Sequence, residues 1–198
     1  MNDTICAIST ASGNGAIALI RLSGAQAFDI AGTVFFSKKE AFNIKEQVSQ
    51  SVHFGEIRDH EKVIDEVLVT LFRNPNTYTG EDLVEISCHG SKYIQQQILQ
   101  LLIIKGARLA NPGEYTQRAY LNGKMDLSQA EAVADLIASS GAAAHQIAMN
   151  QMRGGFSNKL AGLRADLLQF ISLIELELDF SEEEVEFADR TALKKLLV

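Results

Sequence analysis

The sequence contains no tryptophan, two prolines and two cysteines in 198 residues. The thiols, Cys6 and Cys88, lie in no CxxC motif and cannot build a disulfide framework, so a reducing compartment is expected. No run approaches the roughly 18 apolar residues of a membrane span. "MNDTICAIST" lacks the basic start and long apolar run of a secretory leader, so the expected location is cytoplasmic. Positive charge is scarce as well: 18 Lys and Arg against 25 Asp and Glu give a net charge of −7, with no basic cluster. That excludes independent nucleic-acid binding through a basic footprint and leaves RNA contact through another domain or a partner open. Neither GxGxxG nor a P-loop of the form GxxxxGKS or GxxxxGKT occurs.

What is present has the balance of a globular protein, 46% hydrophobic and 22% charged, with length for one or two domains. The first part alternates strand and helix patterns. "TICAIS" and "AIALIRL" are short and apolar with the turn "ASGNG" between them, and "AQAFDIAGTVF" has helical spacing. "SVHFGEI" and "VIDEVLVTLF" alternate as strands around "RDHEK", "VEISC" is a further strand, and "SKYIQQQILQLLIIKG" is an amphipathic helix ending at Gly106. This order predicts an α+β domain, residues 1–119, with a mixed sheet and flanking helices.

A second, all-helical segment is expected over residues 120–198. Just ahead of it "NPGE" reads as a helix start, with Asn111 as N-cap, Pro112 at the first helical position and Glu114 reaching back as a capping-box carboxylate. Leu127, Ala130, Val133, Ala134 and Ile137 share one face of the next helix. A long helical pattern then runs from about Ala142 to Leu178, striped by Leu160, Leu163, Leu167, Ile171, Ile174 and Leu178, with a kink expected at Gly154-Gly155. "ELELDFSEEEVEF" reads as a solvated acidic loop with a helix start, its spacing unlike that of a calcium loop. "RTALKKLLV" is helical and has no stop signal. The expectation is a fragment whose missing part completes a helical bundle, or a stripe that pairs with another copy.

Candidate chemistry is sparse. Arg21 ends an apolar strand and either snorkels to the surface or meets an anion in a cleft. Glu85 interrupts "LVEIS"; it either pairs with a structural arginine or accepts adjacent N–H groups of a ligand. Cys88 and His89 are strand neighbours that point to opposite faces and so form no nucleophile pair. Lys124 sits in the turn "LNGKMD". No catalytic residue and no metal ligand is assigned.

Four segments, "DTICAISTASGNGAIALIRLSG", "NTYTGEDLVEISCHGS", "NPGEYTQRAYLNGKMDLSQAEAVADLI" and "DFSEEEVEF", in this order resemble the N-terminal part of the tRNA-modification GTPase family MnmE, also called TrmE. The resemblance implies a tetrahydrofolate-binding, aminomethyltransferase-like domain that forms a homodimer with its folate pocket near the interface. It implies 5-formyltetrahydrofolate or 5,10-methylenetetrahydrofolate as ligand, contacted by residues matching Arg21, Glu85 and Lys124. It implies a helical domain split by an inserted G domain that uses GTP, potassium and magnesium. The family's partners are the flavoprotein MnmG and tRNA, whose wobble uridine gains an aminomethyl-type group at position 5. The chain departs from the family pattern in lacking the G-domain motifs and the C-terminal cysteine motif, so it is not expected to hydrolyse GTP alone. Ser91 after "CHG" and the "ASGNG" turn differ in detail. A stand-alone folate enzyme and a ligand-free dimerisation module are the alternatives.

Overall fold

A computed structural model describes residues 3–39 and 41–179. The chain divides into two compact units between Met125 and Asp126, a few residues after the change near 120 suggested by the pattern.

The first unit is a mixed seven-stranded sheet with helices against it. The strands are β1 (Ile5–Ile8), β2 (Ile17–Ser23), β3 (Phe35–Ser37), β4 (Ser51–Asp59), β5 (Lys62–Phe72), β6 (Leu83–His89) and β7 (Arg108–Leu109), in the spatial order β3-β4-β5-β6-β2-β1-β7. All neighbours are antiparallel except β1 and β7. The alternation along the strands sets the two faces. Ala18, Ile20 and Leu22 of β2, Val67, Val69 and Leu71 of β5, and Val84, Ile86 and Cys88 of β6 point into one core. Helices α1 (Ala27–Val34) and α2 (Lys92–Ile104) cover that face with Phe28, Ile30, Val34, Ile98, Leu101 and Leu102. Each large side chain removed from water here contributes about 1.5–3 kcal/mol before chain entropy is counted. Both cysteines are free and buried, and burial pushes their thiols up to about 11, so they stay protonated at neutral pH.

Helix α3 (Glu114–Leu121) starts later than the sequence suggested. Gly113 adopts a left-handed φ of 75° and stands at the N-cap, so Asn111 and Pro112 belong to a preceding turn. The reach-back survives the shift: the Asn111 N–H donates to Glu114 Oε2 at 2.8 Å. At the other end Gly123 donates to the Tyr120 carbonyl and Lys124 to that of Ala119, a Schellman closure that fixes the backbone at Lys124.

The second unit is helical: α4 (Leu127–Ala138), α5 (Ala142–Met152) and α6 (Gly155–Asp179). Asp126 caps α4 in a reciprocal box with Gln129. Gln129 Nε2 and Gln151 Nε2 bond to Met152 O and Ser128 Oγ, tying the start of α4 to the end of α5. The expected kink is a break. Gly154 has φ 80°, outside the helical region, so α5 ends and α6 begins anew. The first five residues of the acidic stretch, Glu175–Asp179, are the last turn of α6 rather than a loop. The rest of that stretch and the "RTALKKLLV" helix lie outside the described residues. Among the described residues no helix is long and apolar enough to cross a membrane.

Candidate functional site

Arg21 and Glu85 face each other directly in the β2–β6 register, on the sheet face turned away from α1 and α2. Strand β6 is interior to the sheet, as its apolar character suggested, but Glu85 belongs with Ser87 and His89 on the opposite side from the core residues Val84, Ile86 and Cys88. Its side chain is therefore mostly shielded, at 19% exposed, without being immersed in the hydrophobic core. Arg21 Nε and Nη2 both donate to Glu85 Oε1, at 2.9 and 2.7 Å. Of the two readings open for Glu85, the arginine partner is present. The same geometry leaves Oε2 uncommitted to any protein hydrogen bond among the described residues.

Two tyrosines close around the guanidinium. Its carbon lies 5.6 Å from the Tyr78 ring centre and 5.5 Å from that of Tyr115, at cation–π range. Tyr115 donates its hydroxyl to the Arg21 carbonyl at 2.7 Å, and burial pushes its phenol up. Tyr78 shares a hydrogen bond with Thr116 at 2.8 Å. The loop carrying Tyr78 is held by α3 and the turn after it. Asn122 Nδ2 donates to the Thr79 carbonyl at 2.7 Å, and the alkyl stem of Lys124 lies over Gly80, whose missing Cβ would stand 3.1 Å from Lys124 Cε. Two of the three expected residues thus touch one loop, Arg21 at Tyr78 and the exposed Lys124 at Gly80, and the third, Glu85, is joined to it through Arg21.

Beneath the loop lies a charged cluster that sequence reading did not single out. Arg118 is 1% exposed. Its Nη1 reaches both oxygens of Glu81 at 3.1 Å, and its Nη2 reaches Asp3 Oδ1 at 2.9 Å and Glu114 Oε1 at 3.1 Å. Arg108 bridges Asp3 and Glu114 from the other side. Burial opposes the charge on Arg118, but the bonds to Glu81 and Glu114 outweigh it and its pKa is raised. Glu114 is held at about 2, chiefly by Arg108. Glu81 also accepts from Ser23 Oγ at 2.9 Å, so the cluster fastens the Thr79–Glu81 segment to the end of β2. Its one sequence signal was Glu114 and Arg118 four apart on a short helix, a spacing that also occurs on ordinary surface helices.

Cys88 and His89 part as neighbours on a strand must. Cys88 points into the core, while the exposed His89 ring bonds Asp65 Oδ1 through Nδ1 at 2.7 Å.

Comparison with known proteins agrees with this architecture. Residues 4–124 match the family described as the GTP-binding protein TrmE N-terminus, and residues 127–198 match the MnmE helical domain. Proteins named tRNA modification GTPase MnmE are similar over nearly the whole chain. That of Bacteroides thetaiotaomicron is 65% identical over 194 residues, that of Bacteroides fragilis 64%, and that of Flavobacterium johnsoniae 62% over 195 residues. Each alignment covers 98% of this chain and 42% of the relative, so the chain spans about two fifths of the length of these proteins. With both of its units matched in order, the chain belongs to the MnmE (TrmE) family.

Proposed function

We propose that the first unit binds a reduced folate, 5-formyltetrahydrofolate or 5,10-methylenetetrahydrofolate, against Glu85, Arg21 and Lys124, and does so as a homodimer. The observation that carries this reading is the Arg21–Glu85 pair. One carboxylate oxygen is engaged by the arginine, the other is free to accept among the described residues, and two tyrosine rings flank the guanidinium. A pterin edge offers adjacent N–H donors to such an oxygen and a flat face to such rings. Its anionic tail suits the exposed ammonium of Lys124. When bound, the folate supplies the one-carbon unit. The protein's own contribution is to orient it and to shield one face of it from water.

Dimerisation has support on the same sheet face. In register beside the Arg21–Glu85 pair stand Thr70 and Val52, and the next row holds Leu19, Ser87, Leu68 and Phe54. Ile17, Val52, Phe54 and Leu68 are each about half exposed or more. An apolar patch of this kind is characteristic of an interface, and it would put the folate site at its edge.

The full-length protein then acts in the cytoplasm with the flavoprotein MnmG to add an aminomethyl-type group at position 5 of the wobble uridine of certain tRNAs. GTP hydrolysis, with potassium and magnesium, belongs to a G domain outside these residues, and the remaining length completes the helical unit. Calorimetry on the full-length protein tests the folate site. Replacing Glu85 by alanine removes charge-assisted bonds worth roughly 1.5–3 kcal/mol and should weaken 5-formyltetrahydrofolate binding about ten- to a hundredfold. Wild-type affinity in that variant would overturn the role of Glu85. No binding heat from a dimeric wild-type protein would leave a dimerisation module.

A further inference from the structure

On the other side of the sheet, between the β1–β2 loop and the first turns of α2, lies a cleft of about 520 Å³ lined by Ile8, Thr10, Ser12, Gly13, Lys92, Gln95 and Gln96. Its walls are tied by backbone bonds: Gly15 N–H to the Gly90 carbonyl at 3.1 Å and Gly90 N–H to the Ala16 carbonyl at 3.2 Å. Its size is that of a metabolite site.

Gln95 marks the cleft as more than a surface groove. It occupies the core-facing stripe of α2 with Ile98 and Leu102, where an apolar residue is the rule, and it is 6% exposed. Its side-chain amide makes no hydrogen bond among the described residues, yet it borders the cleft. The amide is not sealed from the cleft, so its donors and acceptor are open to a group that enters. The rest of the lining indicates what enters. Lys92 brings a cation with no ion-pair partner among the described residues, Thr10 and Ser12 bring hydroxyls, and Gln96 a second amide. Among the described residues no acidic side chain lines the cleft. The positive end of the α2 dipole lies at Lys92, and Ser91 caps the helix without a side-chain bond.

We infer that this cleft is a second ligand site, which takes a small metabolite through a carboxylate or phosphate group held by Lys92 and Gln95. It is separate from the Arg21–Glu85 pair, which faces away from α2 on the opposite side of the sheet, and it does not depend on the folate reading. The test is calorimetry on the full-length protein at constant ionic strength, with sodium glutamate and inorganic phosphate as alternative probes. Saturable binding of one of them is expected, the better probe identifying the group. Lys92→Gln and Gln95→Leu should each weaken it by about tenfold or more, the loss of one charge-assisted or buried hydrogen bond. Lys92 is exposed, so its variant folds normally. Arg21→Ala should leave the anion affinity unchanged. The inference is overturned if neither probe saturates, if both cleft variants bind as wild type, or if binding disappears with Arg21→Ala instead.

Discussion

The two units of this chain bury their apolar residues very differently. The sheet unit closes a core around Ile20, Leu22, Ile57, Val69, Ile86, Ile98 and Leu102, each essentially inaccessible to water. Among the described residues of the helical unit, only Ala132, Ala148 and Phe170 are buried hydrophobics, while Leu127, Ile137, Ile147, Leu160, Leu168, Ile171 and Leu178 are exposed. The helical unit also carries an apolar stripe, though α5 and α6 divide their faces less sharply than α1 and α2. Periodicity therefore shows where a face is, and only the partner surface turns that face into stability.

Separating the units is the strongest test of this contrast. Residues 1–125 produced alone should unfold in one cooperative transition, followed by circular dichroism in urea. Residues 126–198 alone should lose helicity gradually and bind a hydrophobic dye. A sharp transition in the helical piece would break the comparison.

Next in size is the charged cluster in the sheet unit. Arg118→Ala leaves Glu81 without its charge partner while Glu114 keeps Arg108, and breaking a buried pair in this way costs about 3–5 kcal/mol. The urea midpoint of residues 1–125 should fall accordingly, with weaker folate binding because the Thr79–Glu81 segment loses its anchor. The same cluster gives the sheet unit an acid sensitivity. Glu114 sits at about 2 in the folded protein against 4.5 ordinarily. Its folded pKa is depressed, so its stabilising effect is complete above pH 4.5 and is lost as pH falls from there towards 2. The full shift corresponds to at most about 3 kcal/mol. Urea midpoints of residues 1–125 should drop through that window, and Glu114→Gln should remove much of the slope. An unchanged slope would assign the acid loss to other carboxylates.

These contrasts also explain what could be read in the sequence. The strand alternation of "VIDEVLVTLF" and the helix "SKYIQQQILQLLIIKG" were legible because each records its own burial locally. The class of the fold followed from their order. The Arg21–Glu85 contact was not legible from pattern, since it depends on the β2–β6 register between residues 64 apart in sequence. Arg118 was missed for a related reason: its partners Asp3 and Glu81 come from distant segments. The helix breaks failed differently. "NPGE" reads as a helix start and "RGGF" as a kink; the left-handed backbone at Gly113 moves that start to Glu114, and at Gly154 it separates two helices.

The smallest expected effects fall on the α6 stripe, and they sharpen the comparison most. Leu160 and Ile171 are each half exposed. Truncating either to alanine in the 198-residue chain should shift stability by only about 0.5 kcal/mol, the range for surface positions. In the full-length protein the same truncations should cost about 2–5 kcal/mol if the remaining chain covers the stripe, because the side chains would then leave cavities. Thermal unfolding of both variants in both lengths measures the difference. A large effect already in the short chain would mean that α6 is packed there, and the asymmetry between the two units would disappear. Equal small effects in both lengths would mean that the stripe stays bare and that its leucines serve something other than a bundle core.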